Sequence, residues 1–162
     1  MSADPADAGV RIGPAAAADL DAVTALLAEA RLPPAGIEEH FPACFVVARA
    51  GDGEVVGAAG VEVYGGVGLL RSVAVAERAR GRGLGERLTR AAMELAAGRG
   101  VRDLYLLTTS AEGYFPRLGF ARVAREEMPA ELARSEQMRG ACPATAVGMR
   151  RELRPAAAGA AG

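Results

Sequence analysis

An α/β fold of the α+β type, built on a mixed sheet of six to seven strands, is the architecture this sequence predicts. Two observations carry it. Apolar runs of strand length are separated by Gly-rich turns and interspersed with segments of helical periodicity. The run that ends at Val75 leads directly into a Gly/Arg loop and an amphipathic helix, and then into another strand.

The elements follow in order. A short first strand falls at Val10 to Gly13. Asp19 can cap a helix whose Leu20, Val23, Leu26, Leu27 and Ala30 form one apolar face. Pro33-Pro34 breaks it, and Ile37 to Phe41 forms a second short helix. Cys44 to Ala50 reads as a strand, and Gly51-Asp52-Gly53 as a hairpin turn into Glu54 to Tyr64. Gly65-Gly66 turns the chain again into Gly68 to Val75, an apolar run broken only by Arg71 and Ser72. Leu84, Leu88, Ala91 and Leu95 recur at helical spacing, and Gly98 and Gly100 stop that helix. Val101 to Thr108 is a further strand, and a short one follows Phe120. The acidic, proline-bearing run Glu126-Glu127-Met128-Pro129 marks a helix start, with the helix reaching Arg139. Ala144 to Leu153 is the last strand. Residues 10–153 read as one domain, between a flexible N-terminus (1–9) and a Pro/Ala/Gly-rich tail (154–162) expected to be disordered.

Composition narrows the function. A chain of 162 residues is long enough for one real core. A net charge of −1 gives no electrostatic case for nucleic acid or an anionic membrane. No apolar run approaches the roughly 20 residues of a membrane span, and residues 1–9 lack the basic-then-apolar pattern of a signal peptide. Cys44 and Cys142 stand far apart and form neither a disulfide framework nor a metal spacing. Cytoplasmic residence without a metal is the expectation. The chain has no lysine, so all 19 of its Lys/Arg cations are arginine.

The chemistry starts at Arg80-Gly81-Arg82-Gly83-Leu84-Gly85. Glycines let a backbone approach a bulky anion, and the helix beyond aims its free N–H groups and positive dipole at it. The two arginines add fork-shaped donors suited to phosphate oxygens. A dinucleotide fingerprint is excluded because Glu86 stands where its third glycine belongs, and a Walker A loop because there is no lysine. What remains is Arg-x-x-Gly-x-Gly, at Arg80, Gly83 and Gly85.

That pattern resembles the pyrophosphate loop of the GNAT N-acetyltransferases. The order strand, loop, helix, strand, then Tyr114-Phe115-Pro116-Arg117-Leu118-Gly119-Phe120 resembles the family's core and covers about half of the chain. The resemblance implies a sheet flanked by helices on both faces and acetyl-CoA as co-substrate. It further implies direct transfer to a primary amine in a ternary complex. By the same resemblance, residues 80–85 hold the diphosphate through Arg80, Gly81, Arg82, Gly83, Leu84 and Gly85. Main chain at Val73, Ala74 and Val75 pairs with the pantetheine arm as an added strand would, and a backbone N–H near Val73 receives the developing oxyanion. Segment 135–149, with Leu69-Leu70-Arg71-Ser72-Val73-Ala74-Val75, is similar to small acetyltransferases associated with arsenic resistance and, more distantly, to amino-acid N-acetyltransferases. That similarity implies a small amine acceptor, acidic or amino-acid-like, and is compatible with a homodimer.

One departure stands out. Where family members place a general-acid tyrosine, this chain has Phe115, and Tyr114 lies one residue early, a rotation of about 100° on a helix. Phe115 is then expected only to pack against the cofactor arm. A coenzyme A thiol, with a pKa near the roughly 8.5 of cysteine, can leave near neutral pH without a dedicated acid. For the base, Glu62 is a candidate if it faces the cleft, while strand alternation with Val61 and Val63 would instead turn it to solvent. His40 is a second titratable group, lining the substrate mouth or lying on the surface. Arg71, among apolar neighbours, needs an anion: either a core carboxylate such as Glu62 or an acceptor carboxylate. Cys142 reads as a substrate contact or as a small packed residue, and Cys44 as core. An acyl-CoA sensor without catalysis and a protein-modifying acetyltransferase are the competing classes.

Overall fold

The computed structural model describes residues 9–109, 111–141 and 145–153. Seven strands form one mixed sheet in the order β1-β2-β3-β4-β5-β7-β6. They are β1 (Arg11–Pro14), β2 (Phe45–Arg49), β3 (Val55–Tyr64), β4 (Val67–Val75), β5 (Asp103–Thr108), β6 (Ala121–Val123) and β7 (Val147–Glu152). Helices α1 (Leu20–Glu29) and α2 (Leu84–Gly98) join them. Only β4 and β5 run parallel among the registered pairs, with Val67 opposite Asp103 and Leu70 opposite Leu106. The connection between these two parallel strands carries α2 as its crossover helix.

The described residues divide into two compact units, and the chain threads each of them twice: 9–60 with 72–92, and 61–71 with the described residues of 93–153. In the first, α1 buries Val23 and Leu27 completely, and β2 buries Phe45 and Val47. Gly60 sits opposite Phe45 across the β2–β3 ladder. The phenylalanine ring occupies the room a side chain would take there, since a Cβ on Gly60 would lie 2.3 Å from Cζ of Phe45. Gly57 does the same for α2, where a Cβ would lie 2.7 Å from Cδ1 of Leu88. In the second unit, Tyr64, Leu69, Tyr105, Met128 and Leu132 form an apolar cluster with Val67, Leu107, Val123 and Met138 against it.

Two expected features come out differently. Asp19 does not cap α1 with its side chain. Its carboxylate instead accepts the N–H of Ala16 at 2.8 Å and both amino groups of the Arg49 guanidinium, the first at 3.0 Å. It thereby ties the entry of α1 to β2. The helix expected from Glu126 to Arg139 is replaced by three short turns, at Arg125–Glu127, Ala130–Arg134 and Gln137–Ala141. Met128, Pro129 and Ser135 have extended backbone with ψ of 143°, 147° and 132°, which no continuous helix accommodates. Elsewhere the expected segments appear with ends moved by one to three residues, and Ile37–Glu39 is a single 3₁₀ turn.

Candidate active site

The C-terminal end of β4, the loop behind it and the start of α2 set out a candidate cofactor site. Within β4, Ser72 has φ of +61°, a left-handed conformation uncommon outside glycine. It breaks the regular pleat immediately before Val73. Beyond the break Val73 and Val75 are half-buried and Ala74 is buried. The strand ends where Ala76 N–H donates to the Val56 carbonyl at 2.8 Å, and Glu77–Ala79 forms a 3₁₀ turn.

Arg80 then folds back, its Nε donating to the Val75 carbonyl at 2.9 Å. This side chain tethers the loop to the end of β4. Gly81 and Gly83 have φ of +82° and +76°. No heavy atom lies within 4 Å of where either would carry a Cβ, so conformation, and not crowding, calls for glycine there. The open space lies over the backbone of the loop. Leu84 is buried and anchors the first turn of α2. Arg87 N–H makes a helical bond to the Gly83 carbonyl at 3.1 Å. By helix geometry the N–H groups of Leu84, Gly85 and Glu86 precede that bond and have no intrahelical acceptor. The positive end of a helix of 15 residues thus meets a loop with two left-handed glycines, an arrangement suited to an anion. Arg82 is half-buried beside it.

A separate group of polar side chains lies on β3 and β4 within 61–71. Glu62 is not turned to solvent: its side chain and that of Arg71 are each 1% exposed, and Arg71 Nη1 reaches Glu62 Oε2 at 2.7 Å. Of the two readings of Arg71, the structure contains the ion pair with Glu62. The Tyr64 hydroxyl donates to the other carboxylate oxygen, Oε1, at 2.7 Å. Tyr64 had drawn no attention in the sequence, although Glu62 and Tyr64, two apart on a strand, necessarily share a face. Arg134 lies over the Tyr64 ring, its Cζ 5.0 Å from the centroid.

The remaining candidates separate. Phe115 is buried and packs edge-on against Tyr114 and Phe120, with ring centroids 5.1 and 5.7 Å away. His40 Nε2 stands 3.8 Å from Glu39 Oε1. Cys44 is buried, and Cys142 lies outside the described residues. Among the described residues no group of three or more His, Cys, Asp or Glu side chains could hold a metal ion, and no helix is long and apolar enough to cross a membrane.

A seven-stranded mixed sheet with a glycine-bearing anion loop opening the helix after β4 is the arrangement that the resemblance to the acetyltransferases implies. Residues 18–120 match the acetyltransferase (GNAT) family, and the chain belongs to that family. It is 30% identical over 99 residues to an uncharacterised N-acetyltransferase of Chlorobaculum tepidum, a match covering 60% of this chain and 62% of that protein. Among solved structures it is similar to the N-acetylglutamate synthase of Neisseria gonorrhoeae, complexed with coenzyme A and N-acetyl-glutamate. That likeness has a TM-score of 0.75 at 25% identity, over 90% of this chain and 35% of the synthase. Rv2747 from Mycobacterium tuberculosis, solved with CoA, gives a TM-score of 0.73 at 21% identity over 89% of this chain and 99% of that one, a likeness of fold. The chain thus spans less than two thirds of the Chlorobaculum relative and about a third of the synthase.

Proposed function

We propose that the chain transfers the acetyl group of acetyl-CoA to the primary amine of a small, acidic or amino-acid-like acceptor, by direct attack in a ternary complex. The observation that carries this reading is the loop 80–85, with its two left-handed glycines and the open space before them, at the start of α2. Acetyl-CoA supplies an activated thioester to the acceptor nitrogen. Backbone N–H groups from Gly81 to Gly85, with the Arg82 guanidinium, hold the diphosphate, and Arg80 keeps the loop on the end of β4. Main chain at Val73, Ala74 and Val75 aligns the pantetheine arm. The Val73 N–H stabilises charge developing on the thioester oxygen, and the break at Ser72 is what sets Val73 apart from a regular ladder.

Glu62 enters this reading as the anchor of Arg71 and not as the base that the sequence suggested. Both of its oxygens already accept hydrogen bonds, from Arg71 and Tyr64. Arg71 in turn is the anion partner on the acceptor side; with its side chain 1% exposed against Glu62, a small acceptor reaches it only where the buried surface opens. Deprotonation of the amine then runs through water. No tyrosine is needed for the departing thiolate, and Phe115 serves packing alone. The acceptor class draws support from the N-acetylglutamate synthase likeness, and from the sequence similarity to arsenic-resistance acetyltransferases, a cytoplasmic group in which we place the chain.

A panel of amines tests the proposal, with thiol release from acetyl-CoA as the readout and glutamate-like, arsenic- and phosphorus-containing amino acids among the acceptors. Release with acidic amino acids supports it, and release only with peptides assigns a protein-modifying enzyme. Tight coenzyme A binding with no release for any amine assigns a sensor, the reading that phenylalanine at position 115 favours. No affinity for coenzyme A removes the assignment altogether.

A further inference from the structure

The buried ion pair has a third member that packing does not call for. Tyr64 lies in the apolar cluster with Leu69, Tyr105, Met128 and Leu132. A phenylalanine would fill that place and would keep the ring face on which Arg134 lies. What only tyrosine supplies is the hydroxyl on Glu62 Oε1, at 2.7 Å. The terminal torsion of a carboxylate is soft, with a broad two-fold profile. Arg71 on Oε2 at 2.7 Å and Tyr64 on Oε1 bind the two oxygens separately and so fix the carboxylate plane. A buried polar network is costly unless it is satisfied throughout, and an apolar replacement would stabilise the fold as well. Its presence here points to a demand for orientation.

We infer that Tyr64 is a positioning residue: its hydroxyl fixes the plane of the Glu62 carboxylate and, through it, the guanidinium of Arg71, so that the acceptor meets a cation held in one orientation. The inference rests on the acetyltransferase reading above for its effect on turnover, but the positioning itself is a property of the free protein.

Tyr64→Phe tests both parts, with Tyr105→Phe, in the same cluster, as the control for loss of a buried hydroxyl. In the wild type, hindered rotation of the Arg71 guanidinium is expected to keep its Nη resonances separate by ¹⁵N NMR. They are expected to coalesce in Tyr64→Phe and to persist in Tyr105→Phe. The acceptor KM is expected to rise about tenfold in Tyr64→Phe, the size of one lost hydrogen bond to a charged group. The acetyl-CoA KM is expected to stay at its wild-type value, while the melting temperature falls by a few degrees because the buried Glu62 carboxylate loses a donor. Unchanged Arg71 resonances in Tyr64→Phe overturn the inference, as does an equal rise of both KM values in Tyr64→Phe and Tyr105→Phe. If the wild type acetylates no amine, the proposed function fails, and the NMR comparison still decides whether Tyr64 positions the pair.

Discussion

Two ion pairs in this chain look alike on paper and answer to different physics. Glu62–Arg71 is fully buried. Arg71→Met strands a carboxylate in the core and is expected to lower the unfolding free energy by about 3–5 kcal/mol, measured by urea denaturation. The double variant Glu62→Leu with Arg71→Met removes both charges and is expected to recover most of that loss while acetyl transfer stays impaired. Asp19–Arg49 is half open, with the arginine side chain 35% exposed, and its worth is correspondingly smaller. The Arg49 guanidinium, helped by the Ala16 N–H, holds the Asp19 carboxyl below its ordinary value of 3.8. A carboxyl depressed by folding adds stability above the unfolded-chain value and loses it as pH falls through the folded one. Asp19→Asn is therefore expected to cost about 1 kcal/mol at pH 7. The gap to wild type should narrow in melts below about pH 4 and close under the folded value.

Alternation could not place Glu62, because β3 is covered on both faces: Val61, Glu62 and Tyr64 are all buried. A period of two reads orientation only where one face is wet. The same limit hid Tyr64. The loop and α2 were legible because glycine, arginine and a helical apolar stripe are each uncommon in that order, and each has its own physical cause.

At the scale of elements, β2 and β3 depend on a pairing that no local pattern announces. Phe45 lies over Gly60, and its ring also meets Phe41 at a centroid distance of 5.2 Å. Gly60→Ala is expected to force that buried ring aside and to destabilise by about 1–3 kcal/mol, read as a lowered urea midpoint with unchanged slope. The segment 125–141 teaches the opposite lesson. Its acidic start and proline are helix signals, and Met128 and Leu132 sit four apart as on a helix. Extended residues at 128, 129 and 135 nonetheless divide it into turns. Short 3₁₀ turns can bury residues at nearly the same spacing, so periodicity does not distinguish the two.

For the whole molecule, the family and the sheet were readable from half the chain. The partition into two compact units was not, since β3, β4 and α2 each pass from one unit into the other without a break in composition. Acetyl-CoA at a hundred times its dissociation constant should add about 2.7 kcal/mol and raise the melting temperature by roughly 5–10 °C. In Gly83→Val, whose β-branched side chain is strained at a φ of +76°, the rise should vanish in a thermal-shift measurement.

The left-handed residue in β4 also restricts what mutation can offer there. At φ of +61° a β-branched side chain collides with its own backbone. Valine, the residue that flanks this position on the C-terminal side, is therefore the wrong replacement for Ser72. A saturation library at codon 72, scored for soluble expression, should retain glycine, asparagine and aspartate and lose valine and isoleucine. Inheritance at that codon is governed by main-chain geometry before any chemistry of the side chain is consulted.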